Sequence, residues 1–130
     1  MIEFRIDSAS GMPPFRQIVH QVQQALRLGL LHPGDQLPTV KEVVAQVAIN
    51  PNTVAKAYRE LEHDGLCEGR PGVGTFVTRT LAGPSLAAHR KLQAELGRWV
   101  AKARDAGLDD ASIGALFEVT LSSDAAEGVA

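Results

Sequence analysis

Residues 50–61 read Asn50-Pro51-Asn52-Thr53-Val54-Ala55-Lys56-Ala57-Tyr58-Arg59-Glu60-Leu61, and the polar members of this stretch have the most chemistry to offer. Helical spacing buries Val54, Ala57, Tyr58 and Leu61 and leaves Asn52, Thr53, Lys56 and Arg59 outside. Amide and hydroxyl groups can read base edges, and cations can meet phosphates. A helix N-terminus adds partial positive charge of its own. Taken alone, such a face is more often simply solvated. The elements on either side of it decide between the two readings.

Asn50 stands where an N-cap belongs, and Pro51 takes the first helical position, where its missing N–H is not needed. Upstream, Thr39-Val40-Lys41-Glu42 has capping-box spacing, and Val40, Val43, Val44 and Val47 give a short helix its apolar face. Two short helices joined by Ala48-Ile49-Asn50 form the helix-turn-helix pattern, the second carrying the polar outer face of a recognition helix. Downstream, Gly65 closes that helix near Asp64. Leu66-Cys67-Glu68 and Thr75-Phe76-Val77-Thr78 then read as strands around the glycine-rich connection Gly69 to Gly74. A hairpin placed there is a wing. Gly72 and Gly74 permit positive φ or close approach, and Arg70 beside them can reach a phosphate or a minor groove.

Ahead of these elements, Ile2, Phe4 and Ile6 alternate with polar residues and predict a short half-buried strand. Phe15, Ile18, Val19, Val22, Leu26 and Leu30 then mark one face of a helix of about four turns. Behind the wing, residues 81–84 read as a linker. Leu86, His89, Leu92, Leu96, Trp99, Val100 and Ala103 follow at threes and fours, close to a heptad seam. Gly107 stops that helix. Asp109 or Asp110 caps a shorter one with Ile113, Leu116, Phe117 and Leu121 on its apolar face, and the polar tail from Ser122 is expected to fray. Two such stripes cannot cover each other alone. Leu92, Leu96 and Trp99 are therefore expected to pack on a second copy of the chain, the alternative being that the stripe packs back on the winged domain.

The expected fold is mainly α with a small β-hairpin. Residues 1–80 form a winged helix-turn-helix domain and residues 81–130 a two-helix dimerisation tail. At 130 residues, 45% hydrophobic and 22% charged, the chain is of a composition that folds. No apolar run has the length of a membrane span, and the first residues lack the form of a signal peptide. The single cysteine, Cys67, has no intrachain partner, in keeping with a cytoplasmic protein. Net charge is −2, and residues 1–80 hold eight Lys/Arg against eight Asp/Glu. A positive face must therefore be built locally from Lys41, Lys56, Arg59 and Arg70, and non-specific affinity for DNA should be modest.

Catalysis is not expected. His20, His32, His63 and His89 lie in separate elements, and no nucleophile-base-orienter set is suggested. His63 and Cys67 are four apart, but Gly65 interrupts the helix between them, so neither a metal nor another cofactor is expected. A tail of this size has little volume for an enclosed ligand pocket of ~300–1,000 Å³, which leaves a cleft between subunits as the place for any small-molecule effector.

In this order, Pro14-Phe15-Arg16-Gln17-Ile18, Leu31 through Glu42, Asn50-Pro51-Asn52-Thr53-Val54 and Gly72-Val73-Gly74-Thr75-Phe76-Val77 resemble the GntR family of bacterial transcription regulators. The short tail is similar to the YtrA-like branch, whose members have no large effector domain and dimerise through that tail. By this resemblance the DNA-contacting positions fall on Lys41, Asn50, Pro51, Asn52, Thr53 and Lys56, with Arg70 and Gly72 in the wing. Lys41 stands where the family commonly has arginine, which replaces a bidentate guanine contact with a point charge. Ala55 stands where other branches are basic. The implied partners are a double-stranded DNA operator and a second copy of the chain, with no membrane. The implied function is that of a homodimeric repressor on a palindromic site. The rival is a winged-helix protein–protein interaction module, which would expose apolar residues on the outer face of the central helix.

Overall fold

The computed structural model describes residues 2–81 and 86–129, with side chains from 87 to 123 in the second stretch. In chain order the elements are α1 (Pro14–Arg27), α2 (Val40–Val47), α3 (Pro51–His63), β1 (Cys67–Arg70), β2 (Gly74–Val77), α4 (Leu86–Asp105) and α5 (Asp110–Val129). They fall into two units, Met1–Leu86 and Ala87–Ala130. Most of the linker expected at 81–84 lies outside the described residues.

The first unit is held by three helices. Ile18, Val22 and Leu26 from α1 meet Val54, Ala57 and Leu61 from α3, each 0% exposed, and Val43 brings α2 to the same core. Removing the valine, isoleucine and leucine side chains among these from water stabilises the fold by about 1.5–3 kcal/mol each. Local signals place the helices. Thr39 Oγ1 accepts from Glu42 N at 3.1 Å while the Glu42 carboxylate turns back to Thr39, so the capping box starts α2 as its spacing predicts. Asn50 Oδ1 accepts from Asn52 N at 2.8 Å and starts α3 ahead of Pro51. Between these helices Ala48 sits at φ 52°, a left-handed conformation that costs a residue with a Cβ about 1–2 kcal/mol. That single residue turns the chain from α2 into α3. The buried Tyr58 hydroxyl then donates to Pro38 O at 2.6 Å and ties α3 to the segment that enters α2.

β1 and β2 are antiparallel, with Cys67 opposite Val77 and Arg70 opposite Gly74. The wing is thicker than the hairpin read from the sequence. Leu37 N donates to Thr75 O and Val77 N to Asp35 O, both at 2.8 Å, so residues 35–37 line the other edge of β2 through a Gln36–Phe76 bridge. Cys67 is buried, and that burial, with Glu62 adding to it, pushes its thiol up to about 11. It is a neutral core residue at physiological pH.

Three sequence expectations are corrected. Residues 2–7 have no regular secondary structure; they bury Phe4 but pair with no strand. The backbone of Arg5 and of Asp7 is satisfied by two glutamines of α1. Arg5 N donates to Gln21 Oε1 at 3.0 Å and Gln21 Nε2 donates back to Arg5 O at 2.6 Å; Asp7 N and O make the same exchange with Gln17 at 2.8 and 2.9 Å. Four helical residues rise about 6 Å, close to the roughly 6.6 Å of two strand residues, so an i, i+4 pair of amides can stand in for a strand edge. Second, α1 ends at Arg27 rather than carrying on to Leu30. Leu30 N and Leu31 N both return to Ala25 O, at 2.8 and 3.2 Å, so Leu30 is 58% exposed and Leu31 takes the buried place. Third, α5 does not stop at Ser122 but runs on to Val129.

The second unit buries little by itself. Asp109 caps α5, its Oδ1 accepting from Ser112 N at 2.8 Å, and the Ser112 hydroxyl and backbone N–H hold its carboxyl below the usual range. Arg104 pairs with Asp110 at 3.0 Å across the turn. Among the described residues of this unit only Ala103 and Ile113 are buried, while Leu92, Leu96, Leu116, Phe117, Val119 and Leu121 are exposed. Leu96, Trp99, Leu116, Phe117 and Thr120 line an apolar cleft of about 320 Å³.

Candidate nucleic-acid interface

The fold brings the residues singled out from α3 onto one helix end and presents them in different ways. Asn52 is exposed and Thr53 half-buried at the first turn, and Pro51 is exposed at the first helical position. Asn50 is exposed too; its amide oxygen already accepts the cap bond, which leaves a second lone pair and the Nδ2 donors to offer. Lys41 is exposed on the first turn of α2. Lys56 is exposed but not free in space: its ammonium lies 3.9 Å from the centroid of the Phe15 ring at the start of α1. Arg59 is exposed on the same face.

In the wing, the Arg70 guanidinium is stacked 4.3 Å from the Phe76 ring centroid, with Glu68 at 3.8 Å as a weak ion partner. Gly72 has φ +75° at the tip, and nothing of the protein lies within 4 Å of where a Cβ would stand. The tip is therefore open, and its constraint is the backbone conformation itself. Gly74 differs. Gln36 Nε2 donates to Val73 O at 3.2 Å, and a Cβ at Gly74 would collide with that amide. Gln36 thus fixes the wing tip from below. The tip, with Arg70 and Gly72, shares an open cleft of about 570 Å³ with Thr39 at the start of α2.

In the second unit, Leu92 and Leu96 are exposed on α4 and Trp99 is half-buried; Leu96 and Trp99 line the apolar cleft and Leu92 does not. The sequence reading placed Phe15 on an apolar helix face and Phe76 in a strand, but gave neither of them, nor Gln36, a part in the site. The seat of Lys56 on Phe15 carries no local signal, because it exists only once α1 meets α3, whereas Arg70 and Phe76 stand in one hairpin and their stacking follows from its register. Among the described residues no group of three or more His, Cys, Asp or Glu could hold a metal ion, and no helix is long and apolar enough to cross a membrane.

Residues 14–77 match the family model of bacterial regulatory proteins, gntR family. This part of the chain belongs to the GntR family. Over 74 residues the chain is 42% identical to the HTH-type transcriptional repressor YtrA of Bacillus subtilis (strain 168), covering 57% of each protein. The chain thus spans little more than half the length of that relative. Among solved structures, YtrA from Sulfolobus acidocaldarius, a GntR-family transcription factor, is 28% identical with a TM-score of 0.54, over 75% of this chain and 97% of that one. These two likenesses fit the YtrA-like branch. The DNA-binding domain of AraR, solved in complex with operator ORX1, is 25% identical with a TM-score of 0.52, over 59% of this chain and 96% of that one.

Proposed function

We propose that this GntR-family chain is a cytoplasmic, sequence-specific DNA-binding transcription regulator, a repressor that grips a palindromic operator as a homodimer and needs no cofactor. Residues 1–80 supply the DNA-binding domain and residues 81–130 the dimer contact. The observation that carries this reading is the division of α3, with Val54, Ala57 and Leu61 sealed in the core and Asn52, Lys56 and Arg59 exposed outside. An interaction module would instead expose apolar side chains there. α3 enters the major groove from its N-terminal end and the wing lies over the flanking backbone. The exposed leucines of α4 and α5 support the dimer, and the relatives named as a repressor and as an operator complex support the rest. Selection of bound duplexes from random DNA tests it: one enriched site with two-fold symmetry is expected, and a pool that never enriches would sink the proposal.

Within the domain the roles divide. Lys56→Ala is expected to weaken binding to all sequences alike and to flatten the salt dependence by about one unit of slope. Replacement of Asn52 or Thr53 by alanine should instead cost ~1–3 kcal/mol of preference at one base position. Titrations at several salt concentrations separate the two, and a Lys56→Ala protein with altered base preference but an unchanged slope contradicts the assignment.

Gly72→Val should strain the wing tip by about 1–3 kcal/mol, because a β-branched residue is forced to positive φ. Weaker operator binding by a folded dimer is the expected outcome. Unchanged affinity in that variant would mean the wing stays clear of the DNA.

A further inference from the structure

Four side chains meet where the start of α1 faces α3. The Lys56 ammonium lies 3.9 Å from the centroid of the Phe15 ring, and the Arg16 guanidinium lies 5.0 Å from the same centroid. Arg16 also reaches Glu60, its Nη2 standing 3.2 Å from Oε1. The second carboxylate oxygen, Glu60 Oε2, is buried without a hydrogen-bond partner among the described residues. Lys56 and Glu60 are four apart on one helix, a spacing at which opposite charges can pair. Here they do not: among the described residues the ion pair of Glu60 is with Arg16, and Lys56 forms none.

The two kinds of contact have different electrostatic consequences. A salt bridge offsets the charge of an ammonium, whereas a cation–π contact orients it and leaves the charge in place. The geometry points to Phe15 and Arg16 as positioning residues for DNA binding: Phe15 seats the Lys56 ammonium, and Arg16 occupies Glu60, so that Lys56 keeps its full charge for a phosphate. The inference rests on the reading of Lys56 as a phosphate contact. It explains how a chain of net charge −2 presents a cation beside a carboxylate of its own helix. Part of the ordering of a flexible lysine is also done before DNA arrives. In the wing, Arg70 stacked on Phe76 repeats the aromatic half of the arrangement.

The test uses the full chain and a short duplex of random sequence, titrated at several salt concentrations, with thermal melts to verify folding. Arg16→Ala frees Glu60 to turn to Lys56. The salt slope should then drop toward that of Lys56→Ala, by up to about one unit, and Glu60→Gln added to Arg16→Ala should restore it. Phe15→Leu should weaken binding about two- to five-fold, the factor an exposed cation–π contact supplies. Neither Arg16→Ala nor Phe15→Leu should weaken binding further when Lys56 is already alanine. Equal losses in the lysine and alanine backgrounds, or no rescue by Glu60→Gln, would overturn the positioning roles. If Lys56→Ala flattens the slope while Arg16→Ala leaves it alone, only the positioning idea is lost. If Lys56→Ala itself leaves the slope unchanged, the phosphate reading fails and the positioning roles fail with it. Should Phe15→Leu not fold, the Arg16 and Glu60 variants decide the matter.

Discussion

Removal of residues 81–130 is expected to leave a folded monomer that binds a full operator ~10²–10⁴-fold more weakly than the intact chain, the factor lost when two linked modules are separated. The first unit has the core to fold alone, since the apolar faces of its three helices close on one another. The second has two buried residues among those described and exposes six large apolar ones, an arrangement that leaves most of its stripe to be covered. On the proposed function, a second copy covers it. Sedimentation of the truncated protein and titration of the full site are the measurements. A truncated protein that still sediments as a dimer, or binds the full site as tightly, would show that the tail packs elsewhere. A milder form of the test is Trp99→Asp, which places a charge in the apolar cleft and should dissociate the dimer while leaving the first unit's melt unchanged.

Gln17→Ala is expected to destabilise the first unit by about 2–3 kcal/mol, because it strands several polar groups at once. The Gln17 side chain is 7% exposed. It bonds both the N–H and the C=O of Asp7, at 2.8 and 2.9 Å, and reaches Met12 O at 2.8 Å. For a domain of this size the melting midpoint should fall by roughly 10–20 °C. Gln21→Ala, whose bonds are exposed, should cost only about 1 kcal/mol. The two glutamines also set register, because a slip of one residue would turn Phe4 outward and break every one of these bonds. Equal melts for Gln17→Ala and the parent protein would show that this strap contributes nothing.

What could be read in the amino-acid sequence is what short-range chemistry encodes. The start of α2 follows from Thr39 and Glu42, and the start of α3 from Asn50 and Pro51, because a capping side chain and the backbone it satisfies are at most three residues apart. Some of the misreadings concern partners far away in the chain, and others the way a helix closes. The alternation of Ile2, Phe4 and Ile6 records burial on one side but not what satisfies the backbone, and glutamine amides can do that as well as a strand. Leu30 has helical spacing with Leu26, yet the helix has already closed on Ala25 O and Leu31 is the residue carried inward. Lys56 was legible as a cation on an outer face. Its seat on Phe15, about forty positions earlier, was not, since that pairing is a product of helix packing.

The two-sided build of α3 also bears on how such a protein can change over generations. Val54, Ala57 and Leu61 are each 0% exposed, so almost any replacement there is a stability lesion. Asn52 and Arg59, by contrast, are exposed, and exchanges at surface positions of this kind stay within about 0.5 kcal/mol of neutral. A lineage can therefore sample new side chains on the outer face while the fold remains above its stability threshold, and on the proposed function retargeting to a different operator need not pass through an unfolded ancestor. Lys56 is the exception: bound to Phe15 on one side and neighbour to Glu60 on the other, it should change only in concert with α1.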